Sequence, residues 1–190
     1  MVKRNDYRRF IDLQDEVLAS LRSIREKYHN VPLMEEDKEK DEQRPAYFII
    51  LGYDSSKHSK HVFNGTKHEL IDSYITGNLD GILEQLKFRD GAILINCNGK
   101  IERVGAWITN INPQKLLKHS GEDIYKKLGF AHDIGTRHVS ALYSSDIMPE
   151  TRVYTLSGSS GDIRVYKKGE IIESTIKEEL KNNLEALVAA

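Results

Sequence analysis

The sequence predicts an α/β (α+β) domain: a mixed central β-sheet flanked by helices, with an amphipathic helix in front of it. Three observations predict this. Short apolar runs of strand length, such as Tyr47–Gly52 and Ala92–Ile95, alternate with stretches of helical period. Asn98-Gly99, between two strand-like runs, is a hairpin signal. The resulting order is helix, strand, helices, hairpin, helix, hairpin, strand, helix, a pattern that layers helices on a sheet.

The totals agree with one compact domain and a short appendage. The chain has 190 residues, 39% of them hydrophobic and 30% charged, which is a globular composition. A net charge of -1 supplies no general basic field, so binding to DNA or RNA is not expected. A single cysteine, Cys97, excludes an internal disulfide framework and a cysteine-based zinc site. No apolar run approaches the length of a membrane segment, and the N-terminus is too charged for a secretory signal. The expected location is cytoplasmic.

Taken in order, residues 1–30 hold an amphipathic helix. Tyr7, Phe10, Ile11, Val17, Leu18, Leu21, Ile24 and Tyr28 recur at three- and four-residue spacing. Such a face serves either its own domain or a partner helix. Residues 31–45 read as a charged linker, nearly all charge from Glu35 to Glu42 and bracketed by Pro32 and Pro45. The main domain then occupies residues 46–190. Tyr47-Phe48-Ile49-Ile50-Leu51 is apolar at every position, as in a strand buried on both faces. Asp54 to Lys60 is a polar turn. His58 and His61 lie at its end with Lys57 and Lys60 beside them, which suits a surface more than a metal site. Lys67–Thr76 and Leu79–Phe88 read as short helices, the second with a stripe of Leu79, Ile82, Leu83 and Leu86.

Ala92–Ile95 and Lys100–Ile108 form the hairpin, so Asp90 stands at the entry to a rigid element. Trp107, the lone tryptophan, reads from composition as a core aromatic. Residues 110–133 are polar, with a short helix expected around Asp123 to Leu128. His132-Asp133 alone is too little for a metal-dependent phosphohydrolase. A helix follows from Gly135 to Asp146. Arg152–Leu156 and Asp162–Tyr166 are strands joined by Ser157-Gly158-Ser159-Ser160-Gly161. That loop reads as a plain hairpin turn, or as a small-residue cradle beside phosphates. Glu170–Ile172 is a last strand. Thr175-Ile176-Lys177-Glu178 has the form of a capping box ahead of a closing helix.

Gly135-Thr136-Arg137-His138 carries the chemistry best read from residues alone. Free N–H groups at a helix start attract anions, and the helix dipole adds to the attraction. Thr136 adds a hydroxyl, Arg137 a planar fork matched to phosphate oxygens, and His138 a group that titrates near neutral pH. Walker A and dinucleotide fingerprints are absent, so a phosphate site here is of another kind.

Together with Asp90-Gly91-Ala92, about forty residues earlier, this stretch resembles the diadenylate cyclase (DAC) domain family. Its signatures are an Asp-Gly-Ala motif and a Gly-Thr-Arg-His-Arg motif. The resemblance runs from about Ala46 to Glu173. Val139 departs from it, standing where the family usually has a second arginine, and the Ser157–Gly161 loop lacks the acidic metal ligand that some relatives place there. The resemblance implies condensation of two ATP into cyclic di-AMP with release of two pyrophosphates, in a homodimer or higher oligomer whose sites face each other. It implies Asp90, Arg137 and His138 as catalytic residues. It implies Gly91, Ala92, Trp107, Ile108, Gly135, Thr136 and Ser157 at the substrate, with Trp107 and Ile108 beside the adenine. A divalent metal, Mg or Mn, is the implied cofactor, with no ligand set assigned. The alternative is a catalytically degenerate relative that binds a nucleotide and signals.

Overall fold

The computed structural model describes residues 4–29, 44–63, 65–87, 89–109, 111, 129–131 and 134–180. They form a seven-stranded mixed sheet with helices on both faces, the predicted fold class. The strands are β1 (Tyr47–Leu51), β2 (Val62–Phe63), β3 (Ala92–Ile95), β4 (Ile101–Ile108), β5 (Arg152–Leu156), β6 (Ile163–Lys167) and β7 (Glu170–Ser174). Their order across the sheet is β2-β4-β3-β1-β5-β6-β7. β1 and β3 are parallel, and the remaining pairings are antiparallel.

Strand alternation divides the core into two layers. Tyr47, Ile49 and Leu51 of β1, with Ile93 and Ile95 of β3, enter the layer beneath α1 (Arg4–His29) and α3 (Leu79–Leu86). Phe48, Ile50, Ala92 and Leu94 point the other way, toward α4 (Thr136–Ile147). β1 and β3 are therefore buried on both sides, which is why they read as unbroken apolar runs.

Helix α1 is part of this core. Leu13, Val17, Leu21 and Ile24 are buried in the same cluster as β1, β3, β5 and α3, while Ile11 stays exposed. Burying side chains of this size contributes about 1.5–3 kcal/mol each. Its flank is tied down by Lys27 on Glu84 at 2.6 Å, by the Tyr28 hydroxyl on the same carboxylate at 2.8 Å, and by Arg22 on Glu173 at 2.8 Å. The charged linker lies almost wholly outside the described residues, as do His132-Asp133, the helix expected near Asp123 and most of the closing helix.

Four local expectations need correction. The stretch from Lys67 to Thr76 is not a helix. Thr66 bridges to Val104 and Tyr74 to Lys100, and Asp72 takes φ +74°. Pairing along β4 wins over helical propensity there. Asp54–Lys60 is more ordered than a polar turn. It contains one helical turn, α2 (Ser55–His58), capped by Asp54, whose carboxylate accepts from the Ser56 N–H at 2.9 Å. It leads into β2, which the sequence did not reveal. His58 is buried instead of superficial, accepting at Nδ1 from the Asp54 N–H and reaching Glu150 at 2.8 Å. Finally, Thr175 is not the cap of a capping box. Its hydroxyl accepts from the Ile163 N–H and donates to Asp162, and the Ser174 hydroxyl serves the Ile176 N–H instead.

The β3–β4 hairpin turns as expected. Asn96 Oδ1 accepts from the N–H groups of Asn98 and Lys100, Gly99 takes φ +81°, and Cys97 is exposed at the tip. No helix among the described residues is long and apolar enough to cross a membrane.

Candidate active site

Because β1 and β3 are parallel and β5 runs against them, three chain ends meet on one rim of the sheet. They are the entries to β1 and β3 and the exit from β5. Helix α4 packs on β5, β6 and β7 with its first turn toward the same rim. A cleft of about 290 Å³ opens there between the two motifs. Its apolar wall is Phe48, Ala106, Ile108 and Ile111, and its polar margin is Asp90, Thr136, Arg137 and Ser140. Pockets of this kind run from roughly 300 to 1,000 Å³, so the space suits a base or a sugar more than a whole nucleotide. Larger clefts, of about 740 and 450 Å³, lie elsewhere and include neither motif.

Asp90 is held by a seam without side chains. Gly91 has φ +87°, and a Cβ on it would sit 2.6 Å from the Gly105 carbonyl carbon. Gly105 has φ +66°, and a Cβ there would sit 3.2 Å from the Asp90 carbonyl oxygen. The two backbones can cross this closely only because both residues are glycine. The Asp90 carboxylate itself is 84% exposed at its side chain, and its partner Arg137 is 31% exposed at 3.5 Å. A long, solvent-facing pair of this sort contributes at most about 1 kcal/mol. Both groups are therefore free to meet a ligand.

Arg137 arrives through the first turn of α4. Gly135 is the N-cap and gives the turn no side-chain hydrogen bond. Its φ of -72° is open to any residue, but a Cβ there would meet nothing within 4 Å. The N-cap is open to solvent and Thr136 is exposed beside it, while the His138 N–H already donates to the Gly135 carbonyl at 3.1 Å. This is an anion-binding arrangement.

The predicted residues do not all converge. Asp90, Gly91, Trp107, Ile108, Thr136 and Arg137 border the cleft, and Gly135 adjoins it. Ala92 does not; it is fully buried on the α4 face of β3. Ser157 lies on the rim, but its hydroxyl contacts Ser159 Oγ at 3.2 Å and accepts from the Ser160 N–H within its own turn. Trp107 is no core aromatic. It is 61% exposed and stands opposite Phe63, 63% exposed, on the edge strand β2. Strand alternation sends Ala106 and Ile108 inward and Trp107 outward, which leaves Ile108 as wall and Trp107 as margin.

His138 is the largest departure. It points away from the cleft into the sheet, 7% exposed. Nδ1 lies 3.1 Å from both Thr155 Oγ1 and Tyr166 OH. Burial first, then the Arg164 and Arg137 guanidiniums, push its pKa down to about 3. It is a neutral imidazole at physiological pH and not a titrating group at the phosphates. Ser140 and Phe48 were not anticipated at the cleft. Ser140 was readable, since it lies one helical turn from Thr136 and donates to its carbonyl at 2.7 Å.

Neither a family model nor a curated protein matches this sequence. Among solved structures the chain is similar to a hypothetical membrane spanning protein from Bacillus cereus. Identity is 16% over 70% of this chain and 57% of that one, with a TM-score of 0.49. It is also similar to a double mutant of DacA from Staphylococcus aureus, at 16% identity over 91% of this chain and 97% of that one, with a TM-score of 0.48. This chain thus spans little more than half of the Bacillus cereus protein. Likenesses at this level carry no functional weight, and the reading of the site rests on its own residues.

Proposed function

We propose that the chain is a diadenylate cyclase, joining two ATP into cyclic di-AMP with release of two pyrophosphates. The observation that carries this reading is the convergence of Asp90-Gly91 and Thr136-Arg137 on one cleft. Each half-reaction is attack of a ribose 3′-hydroxyl on an α-phosphate. It needs a carboxylate near the hydroxyl, cations on the phosphates and an in-line approach. Asp90, exposed at the mouth, prepares the hydroxyl for attack. Arg137, Thr136 and the N-terminus of α4 hold phosphate oxygens and meet the charge that develops on them. The wall of Phe48, Ala106 and Ile108 takes the adenine, and the triphosphate runs out over the first turn of α4.

Among the described residues no three metal-ligating side chains cluster, and Asp90 is the one carboxylate at the cleft. That donor set fits a magnesium-like ion, which binds through one or two carboxylates and takes its other ligands from phosphates and water. Such an ion, held by Asp90 and the triphosphate, would neutralise phosphate charge. Each cleft serves one ATP, so the product requires two copies with their clefts facing across a two-fold axis.

A second reading, a nucleotide-binding module without turnover, is favoured by two details. Val139 is buried where the family has its second arginine, and the Ser157 hydroxyl is occupied within its turn. The test is incubation with ATP and Mg²⁺ or Mn²⁺ followed by mass detection of cyclic di-AMP. Product that disappears in Asp90→Asn supports the cyclase. ATP binding without product supports the module.

A further inference from the structure

Behind the turn that carries Arg137 lies a buried ionic network. The side chains of Arg164 on β6 and Glu179 are 4% and 0% exposed. Arg164 Nε donates to the two carboxylate oxygens at 3.0 and 2.9 Å, and its Nη2 donates at 2.8 Å. Glu179 also accepts from the Ser174 hydroxyl and, at 3.3 Å, from the backbone N–H of Ala131. On its other side, Arg164 Nη1 lies 3.5 Å from Nε2 of His138. A guanidinium cannot accept, so Nε2 is the acceptor and the ring proton sits on Nδ1, facing Thr155 and Tyr166.

A buried ion pair is weak evidence of a stabilising role. Replacing a buried ion pair by apolar residues of similar volume is often neutral or stabilising. What the pair supplies is position: Arg164 reaches His138 within the first turn of α4, and Glu179 reaches the Ala131 N–H ahead of it. Ala131 precedes the Gly135 N-cap, and His138 adjoins Arg137.

We infer that Arg164, held by Glu179, is a positioning residue for Arg137, setting through His138 the direction in which the first turn of α4 presents that guanidinium to the cleft. The inference rests on the proposed function for the identity of the anion, but not for the geometry. It also assigns Arg164 a second effect, keeping the imidazole neutral. The groups facing His138 are Arg164 and Tyr166 from β6, Thr155 from β5, Arg137 on its own helix and Asp162 from the β5–β6 turn, with Glu179 behind Arg164. Of the charged ones that act on it directly, Arg164 opposes protonation most and Asp162 favours it.

The test uses the full chain carrying Arg164→Met with Glu179→Met, which removes both charges while keeping volume. Three signals are read: the thermal midpoint, the long-range ¹H–¹⁵N spectrum of the His138 ring, and the Arg137 Nε–Hε resonance titrated with ATP. We expect a folded protein whose His138 ring loses its single Nδ1–H tautomer. ATP affinity should fall about tenfold, as for a displaced binding group. A folded double variant with the His138 tautomer unchanged overturns the inference, whether or not affinity falls. If the double variant does not fold, Glu179→Gln is read in the same way, and an unchanged tautomer and affinity overturn the inference equally. Should the wild type make no cyclic di-AMP, the cyclase reading fails by itself. The His138 spectrum and the Arg137 resonance, titrated with inorganic pyrophosphate, still decide this one.

Discussion

The two faces of the sheet are packed differently. Beneath α1 and α3, the layer is mostly apolar from Leu13 through Ile24 to Val165, with the Tyr47 hydroxyl donating to the Leu83 carbonyl inside it. Beneath α4, the layer also admits His138, Thr155, Ser144, Ser145, Arg164 and Glu179, each buried and each hydrogen-bonded. The first face is closed mainly by well-fitting hydrocarbon. The second requires particular donors and acceptors at particular angles, since an unpaired buried polar group costs about 1–3 kcal/mol. The candidate site is built on the second face, where direction is specified as well as volume.

The largest way to break this contrast is on the apolar side. Removing residues 1–29 takes away four fully buried side chains, about 6–12 kcal/mol in area terms. That rivals the whole stability of a typical domain, about 5–15 kcal/mol. The truncated chain should show no cooperative melt by circular dichroism. The milder Leu21→Ala should cost about 2–5 kcal/mol by urea titration and leave ATP binding by the folded fraction intact.

On the polar side the effects should fall on function. Asp90→Asn, at an exposed position, should leave the melting temperature within a degree or two and remove about 10²–10⁴ of turnover. ATP affinity measured by calorimetry should change little. Equal losses of affinity and turnover would mean that Asp90 serves binding. Arg137→Ala should act on both, raising KM and lowering kcat by about tenfold each, because phosphate charge is present in the ground state and in the transition state.

The smallest expected effect is pH-dependent. His138 has a folded pKa near 3 against an ordinary value of 6.5, so the unfolded chain binds a proton between those values that the folded chain does not. Its contribution to stability is complete above pH 6.5 and is lost as pH falls, by about 1.4 kcal/mol per unit at most. Urea midpoints from pH 8 to pH 4 should show this slope, and His138→Gln should flatten it.

Much of the fold was legible because burial on both faces leaves little choice of residue, as in β1 and β3. Helix α1 announced itself by period, although Leu13 was missed among its buried positions. The Lys67–Thr76 run was misread because its backbone pairs with the β3–β4 hairpin, far along the chain. At the site, both motifs were legible, but not the side of the helix on which each residue falls. Thr136 and Ser140 lie one turn apart on the open face. His138, Ala141, Leu142 and Ser145 form the buried stripe at helical spacing. Read by that spacing, the motif histidine belongs with the core. Arg164, the charged neighbour that does most to keep it neutral, comes from a strand that local pattern cannot pair with it.

The lone cysteine offers a ruler. Cys97 sits exposed at the tip of the hairpin whose other end holds Asp90. A spin label attached there needs no mutagenesis to be unique. If two copies face each other across their clefts, the labels lie at the outer ends of the pair, separated by the length of both hairpins. Four residues of β3 span about 13 Å, so dipolar spectroscopy should report more than about 25 Å between labels in the productive assembly. A short distance would describe copies joined at the wrong rim, with their clefts turned outward.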